Sequence, residues 1–221
     1  RVILMERKSI PVRDFRDVHD WDTVMFIYRS ALKTMDTKID IINDEFLKRH
    51  KYTPIEHVKS RLKSPESIVK KLKRHGYESN IENMVRYVND IAGIRIICSF
   101  TSDIYLLADM IMNQRDLSII YTKDYIKHPK RSGYRSYHLL ITIPVYLSDS
   151  IVDTKVEIQI RSVAQDFWAT LEHKMNYKFE GESPPNIANE LKECAALISQ
   201  LDEKMQYLNL EIQNYDKKTT P

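Results

Sequence analysis

The side chains best suited to chemistry gather in two basic runs and at two isolated acids. Arg61, Lys63, Lys70, Lys71, Lys73 and Arg74 surround a Ser-Pro-Glu helix start at 64–66. Lys123, Lys127, His128, Lys130, Arg131, Arg135 and His138 surround the stretch KRSGYRSYH at 130–138. One charged run by itself is usually a solvated face; two of them, beside tyrosines and β-rich segments, fit a polyanionic ligand. Asp90 leads into an apolar segment, and Glu157 stands in VEIQI with apolar residues on either side. A carboxylate in such a place needs a cation, a hydrogen-bonded partner or open solvent. Two readings follow. Either VEIQI is an edge strand with a wet polar face, or Asp90 and Glu157 hold Mg²⁺, a hard cation that takes carboxylates together with substrate phosphates. No His/Cys grouping has the spacing of a zinc site.

The elements that must position these groups can be read from periodicity. Val24, Ile27, Ala31, Met35, Ile39, Ile42 and Phe46 recur at three- and four-residue steps, which predicts an amphipathic helix over 20–50 with room for one break. A second helix starts at the Ser64 cap, with Pro65 in its first turn, and stops at Gly76. IAGIRIICSF (91–100), LSIIYTKDY (117–125), HLLITIPV (138–145) and TKVEIQIR (154–161) read as strands. In the last, Val156, Ile158 and Ile160 share one face and Glu157, Gln159 and Arg161 the other. Helices are expected over 103–114 and 163–178, and GESPP (181–185) marks a break. The helix after it, 186–215, repeats Leu191, Ile198, Met205 and Ile212 every seven residues, with Cys194, Leu201 and Leu208 between them. That seam packs either on the chain's own N-terminal helix or on another subunit. The tail DKKTTP is expected to fray. The whole is expected to be one α/β domain over 1–221, with a core at 54–178 and helical extensions at both ends.

Composition narrows the chemistry. The 221 residues carry 34 Lys and Arg against 31 Asp and Glu, so the net charge of +3 does not by itself argue for a nucleic-acid protein. Only four glycines occur, and they are scattered, which excludes a Walker loop and a dinucleotide fingerprint. Any phosphate must therefore be held largely by Lys and Arg side chains. The two cysteines, Cys98 and Cys194, form no paired motif; both are expected to be buried thiols in a reducing, cytoplasmic setting. No apolar run approaches a membrane span.

DIAGIR (90–95), SGYRSYH (132–138), VEIQIR (156–161) and WATLEHKMNYK (168–178), in that order, resemble the synthetase domain of the RelA/SpoT alarmone family. The likeness covers about 61–178 and is greatest to the small alarmone synthetases. The HPK run at 128–130 looks more like the RelP type than the RelQ type. The resemblance implies a nucleotidyltransferase-like fold, a mixed sheet lined by helices. It implies transfer of the β,γ-diphosphate of ATP to the 3′-hydroxyl of GDP or GTP, releasing AMP and forming (p)ppGpp. On matching positions, Arg61 and Arg95 would sandwich adenine, and Lys63, Ser67 and Lys71 would contact the ATP phosphates. Asp90 and Glu157 would bind Mg²⁺, with Glu157 also the base for the 3′-hydroxyl. Tyr134 would stack on guanine, with Lys130, Arg135 and His138 near phosphates. Gln159, Glu172 and Asn176 would line the acceptor pocket. Small family members are homotetramers, so the terminal helices would join subunits.

The family's long members add a hydrolase domain built on a His-Asp pair; here His19-Asp20 is the single such dipeptide and reads as a helix cap, so synthesis without hydrolysis, and no regulatory domain, is expected. Three other readings compete: a nucleotidyltransferase that transfers a nucleoside monophosphate, a regulator that stacks single-stranded RNA on Tyr134 and Tyr137, and a helical oligomerisation module. One geometric question also arises. Strict alternation puts Asp90 and Arg95 on opposite faces, so either Asp90 precedes the regular strand or Gly93 marks a bulge.

Overall fold

The computed structural model describes residues 20–178 and 185–219, with side chains to 175 and from 186 to 214. The expected break at 181–185, apart from Pro185, and the last two residues of the tail lie outside them, as do the side chains of Asn176 and of 215–219. Asp20 caps the first helix, its carboxylate accepting from the Asp22 and Thr23 amides, and α1 (Trp21–His50) then runs unbroken. All seven periodic apolar residues of α1 are buried, the six larger than alanine each contributing roughly 1.5–3 kcal/mol. They lie on a five-stranded sheet made of β1 (Ile55–Leu62), β2 (Ala92–Cys98), β3 (Ser118–Asp124), β4 (Tyr137–Tyr146) and β5 (Ile151–Ser162), in the order β1-β2-β5-β4-β3. β2 and β5 are parallel and the other neighbours antiparallel. The sheet is thus mixed and flanked by helices, as expected.

β5 lies in the middle of the sheet, which rules out the edge-strand account of Glu157. Ile94 and Ile96 of β2, Leu139, Ile141 and Ile143 of β4, and Val156, Ile158 and Ile160 of β5 are all buried and form the main core with α1 and α4 (Thr101–Met112). The opposite face carries the polar residues. In register across it stand Arg61 beside Gly93 and Gly93 beside Glu157, then Lys59, Arg95, Gln159, His138 and Lys123 in one row. Pairing of β2 is regular through Gly93, and Asp90 sits in the turn before the strand. Asp90 therefore escapes strand parity, and no bulge at Gly93 is needed.

α2 (Pro65–Arg74) begins at the expected Ser64 cap, whose hydroxyl accepts from the Ser67 amide, and ends before Gly76 at φ +77°. Two elements were not anticipated, β1 and the short α3 (Ile81–Tyr87). β1 hides because only Ile55 is buried along it; it is a sheet edge. α5 (Val163–Lys178) follows β5 directly, and α6 (Pro185–Thr219) rests on α5 and α4 rather than on α1. Leu191 and Ile198 pack with Trp168 and Ala195, whereas Leu201, Met205, Leu208 and Ile212 of the same seam are exposed. Cys98 is buried as expected, but Cys194 is exposed. Among the described residues no helix is long and apolar enough to cross a membrane.

Candidate active site

The polar face of the sheet opens as a cleft of about 190 Å³ lined by Lys59, Arg61, Asp90, Gly93, Ile94, Arg95, Glu157 and Gln159. Its floor is set by strand register. β1 delivers Lys59 and Arg61, β2 delivers Arg95, and β5 delivers Glu157 and Gln159, all through the two-residue period that buries the alternate isoleucines. Gly93, between Arg61 and Glu157, keeps the centre of the floor low; the nearest atom to an added Cβ would be the Arg61 carbonyl oxygen at 3.8 Å.

At one end Asp90 receives two lysines. Lys63 Nζ lies 2.9 Å from Oδ2 and Lys71 Nζ 2.7 Å from Oδ1. Lys63 leaves the end of β1, and Lys71 projects from the second turn of α2, so the Ser64 cap between them fixes the angle of approach. Burial draws the Asp90 carboxyl upward, but the hydrogen bonds and charges of Lys71 and Lys63 outweigh it and hold the group below the usual carboxylate range. Ser67 lies exposed in the first turn of the same helix, its hydroxyl bonded by that of Ser64. Lys70 and Lys73 face a separate shallow surface with Pro65 and Val69.

At the other end a network is already closed. Arg161, only 4% exposed, donates from Nη1 to Asp166 Oδ1 (3.1 Å), and from Nη2 to the Tyr134 hydroxyl (2.6 Å) and to Gln159 Oε1 (2.9 Å). Gln159 Nε2 donates to Glu157 Oε2 at 3.1 Å, and the Tyr134 hydroxyl meets His138 Nε2 at 2.9 Å. Lys130 Nζ stands 4.6 Å from the centre of the Tyr134 ring and 4.8 Å from that of Tyr125. Burial, with Lys130, Arg161 and Lys123 close by, pushes the His138 imidazole down to about 3. His138 is therefore neutral near pH 7, and its Nδ1, 3.9 Å from Glu157 Oε1, is no cation for that carboxylate.

The structure thus brings Arg61, Arg95, Asp90, Glu157 and Gln159 into one cleft, with Lys63 and Lys71 at its Asp90 end and Tyr134 and His138 joined to it through Arg161. Burial holds the Lys130 ammonium below its ordinary range, and the charges of Glu157 and of Glu172, half-buried on α5, only partly oppose that. Arg135 is not brought in. Its Nη1 donates to the Ile126 carbonyl at 2.6 Å, and it lines a small cavity with Gly133, Trp168 and Ala195. Asn176 lies outside the described side chains. Lys59, Arg161 and Asp166 were overlooked in the sequence, although β5 alternation already put Arg161 on the face of Glu157. Among the described residues no group of three His, Cys, Asp or Glu side chains could enclose a metal. Two hard carboxylates on one cleft, with cations beside them, do fit a divalent ion that arrives with phosphates.

A family model described as the region found in RelA / SpoT proteins matches residues 60–182, which include every residue lining this cleft except Lys59. The chain is 48% identical over 195 residues to the GTP pyrophosphokinase YwaC of Bacillus subtilis (strain 168), covering 88% of this chain and 93% of that one. The crystal structure of small alarmone synthetase 2 from Bacillus subtilis superposes with a TM-score of 0.80 at 47% identity, covering 87% of this chain and 99% of that one. Small alarmone synthetase 1 of the same organism, bound to its product pppGpp, gives a TM-score of 0.80 at 35% identity, over 87% and 98% of the two chains. With a family model over more than half its length and relatives matched almost end to end, this chain belongs to the RelA/SpoT family.

Proposed function

We propose that this protein is a (p)ppGpp synthetase, transferring the β,γ-diphosphate of ATP to the 3′-hydroxyl of GDP or GTP and releasing AMP. The observation that carries this reading is the presence of Asp90 and Glu157 in one cleft with a pair of guanidiniums, Arg61 and Arg95, beside the hydrogen-bonded network around Tyr134. The pppGpp-bound relative supports it. In the reaction the acceptor O3′ forms a bond to the β-phosphorus of ATP, the bond from that phosphorus to the α,β-bridging oxygen breaks, and AMP leaves with that oxygen. Glu157 takes the proton of the 3′-hydroxyl. Arg61 and Arg95 present flat faces for adenine, and Tyr134 one for guanine. Lys63 and Lys71 turn from Asp90 to the ATP phosphates, with Ser67 at the α2 start, and Lys130 serves the acceptor phosphates. Asp90 and Glu157 would hold Mg²⁺, which would supply neutralisation of the charge on the transferred phosphates. Holding both nucleotides in line removes much of the entropic barrier.

The same reading takes the protein as synthesis-only, cytoplasmic, and a homotetramer of the RelP type joined through its terminal helices. The exposed Leu201, Met205, Leu208 and Ile212 of α6 support that association. Stacking of single-stranded RNA is less well supported, because the Tyr134 hydroxyl is tied inward to Arg161 and His138 rather than presented on an open surface. Incubating the purified protein with Mg²⁺, ATP and GDP or GTP, then resolving the nucleotides, tests the proposal. AMP and the tetra- or pentaphosphate are expected in equal amounts; ATP left intact, or an AMP-bearing product, would overturn it.

A further inference from the structure

Arg161 bonds to both sides of the acceptor half, and its guanidinium carbon stands 5.0 Å from the centre of the Tyr134 ring. It is buried, its carboxylate partner among the described residues is Asp166, and Asp166 is itself shared with Arg95 at 3.5 Å. A guanidinium can only donate hydrogen bonds. The Tyr134 oxygen must therefore accept from Nη2, which leaves the phenol's own proton for His138 Nε2. Gln159 must likewise turn its carbonyl oxygen to Arg161, which leaves its NH₂ for Glu157 Oε2. One buried donor so sets the direction of every bond in two chains. The first holds the ring proposed to stack on guanine, and the second reaches the carboxylate proposed as base.

We propose that Arg161 is a positioning residue of the transfer, setting the guanine platform and the base in fixed relation. This deepens the synthetase reading and rests on it. Two rigid chains from a common anchor keep the distance from the stacked base to the carboxylate constant, and that distance decides whether the 3′-hydroxyl lies within reach of Glu157. Lysine cannot substitute. Its single ammonium group on a flexible stem lacks the planar fork that serves Asp166, Tyr134 and Gln159 together.

The test uses the full chain and measures AMP formation for wild type, Arg161→Lys, Tyr134→Phe and the double variant, with thermal unfolding as a control of folding. Arg161→Lys is expected to lower kcat about 10- to 100-fold and to raise KM for GTP, with KM for ATP changing less than about threefold. Tyr134→Phe, which keeps the ring and removes only the oxygen that Arg161 holds, is expected to lower kcat in the same direction by a smaller factor. The double variant is expected to be little worse than Arg161→Lys, because the two changes cut the same chain. A folded Arg161→Lys with wild-type kcat and KM for GTP overturns the proposal, as does a double variant whose losses multiply. Should Arg161→Lys fail to fold, Tyr134→Phe decides: wild-type kinetics there reduce Tyr134 to a stacking ring and overturn the fixed relation of platform and base, which needs both chains. Wild-type protein that forms no AMP would instead sink the synthetase reading itself.

Discussion

At the Asp90 end of the cleft, Lys63 and Lys71 direct their charges at a protein carboxylate; at the Tyr134 end, Arg161, Gln159, Tyr134 and His138 are bonded to one another and to Glu157. The first arrangement has to come apart before the lysines can meet a phosphate. The second keeps its hydrogen bonds when a base arrives, and only Lys130, 4.6 Å from the centre of the Tyr134 ring, has to give way. The contrast follows from the ligands each end would take. A triphosphate with its metal ion carries enough charge to draw two partly exposed ammonium groups away from one aspartate. A guanine ring carries none, so its platform has to be built before it arrives.

The contrast between the two ends can be erased most decisively at Glu157. Glu157→Gln keeps the shape and the bond to Gln159 while removing the base, and kcat measured by AMP release should fall by about 10²–10⁴-fold with nucleotide affinity little changed. Asp90→Asn sharpens it. Turnover should drop by roughly 10²-fold or more, yet a non-hydrolysable ATP analogue in the presence of EDTA should bind at least as tightly as to wild type in calorimetry, because Lys63 and Lys71 have been released. Weaker metal-free binding would show that the lysines are not held back by Asp90. Tyr134→Ala acts on the other half alone, raising KM for GTP about 10- to 100-fold and leaving affinity for the ATP analogue unchanged.

Two further predictions concern the frame of the acceptor half. Gly133 has φ +92°, and an added Cβ would stand 2.5 Å from the Cβ of Ala195 on α6. Gly133→Ala should destabilise the fold by about 1–3 kcal/mol, read by denaturant unfolding, and blur guanine use before ATP binding. The smallest effect is on pH dependence. His138 is held neutral down to about pH 3 in the folded chain, while in the unfolded chain it takes up a proton near pH 6.5. Its contribution to stability is therefore complete above about pH 6.5 and is lost as the pH falls toward 3. Between about pH 7 and about pH 5.5 that loss should be on the order of 1 kcal/mol, and His138→Phe should flatten it; an unchanged slope would mean that His138 titrates normally in the fold.

Much of the frame could be read from local pattern. The α1 stripe, the Ser64 and Asp20 caps and the alternation in VEIQI each depend on spacing along one segment, and each appears in the structure as spacing predicts. β1 could not be read, since a sheet edge with one buried residue has no period to detect. Arg135 shows the same limit at the site. It sits in a stretch rich in cations, but the turn after β3 aims it at the Ile126 carbonyl and away from the cleft. Cys194 lies on an apolar seam whose inner edge packs and whose outer edge does not.

What the sequence determined by itself was the chemistry available. Few and scattered glycines left phosphate to lysine and arginine, and alternation put Glu157, Gln159 and Arg161 on one face of a strand. Which of those groups meet was decided only by the tertiary structure. Parallel pairing of β2 with β5 sets Arg95 beside Gln159, a turn outside the strands swings Asp90 to the lysines, and burial makes Arg161 an anchor and His138 a neutral ring. Periodicity is a property of neighbours in the chain, whereas hydrogen-bond direction and desolvation depend on residues brought together from afar.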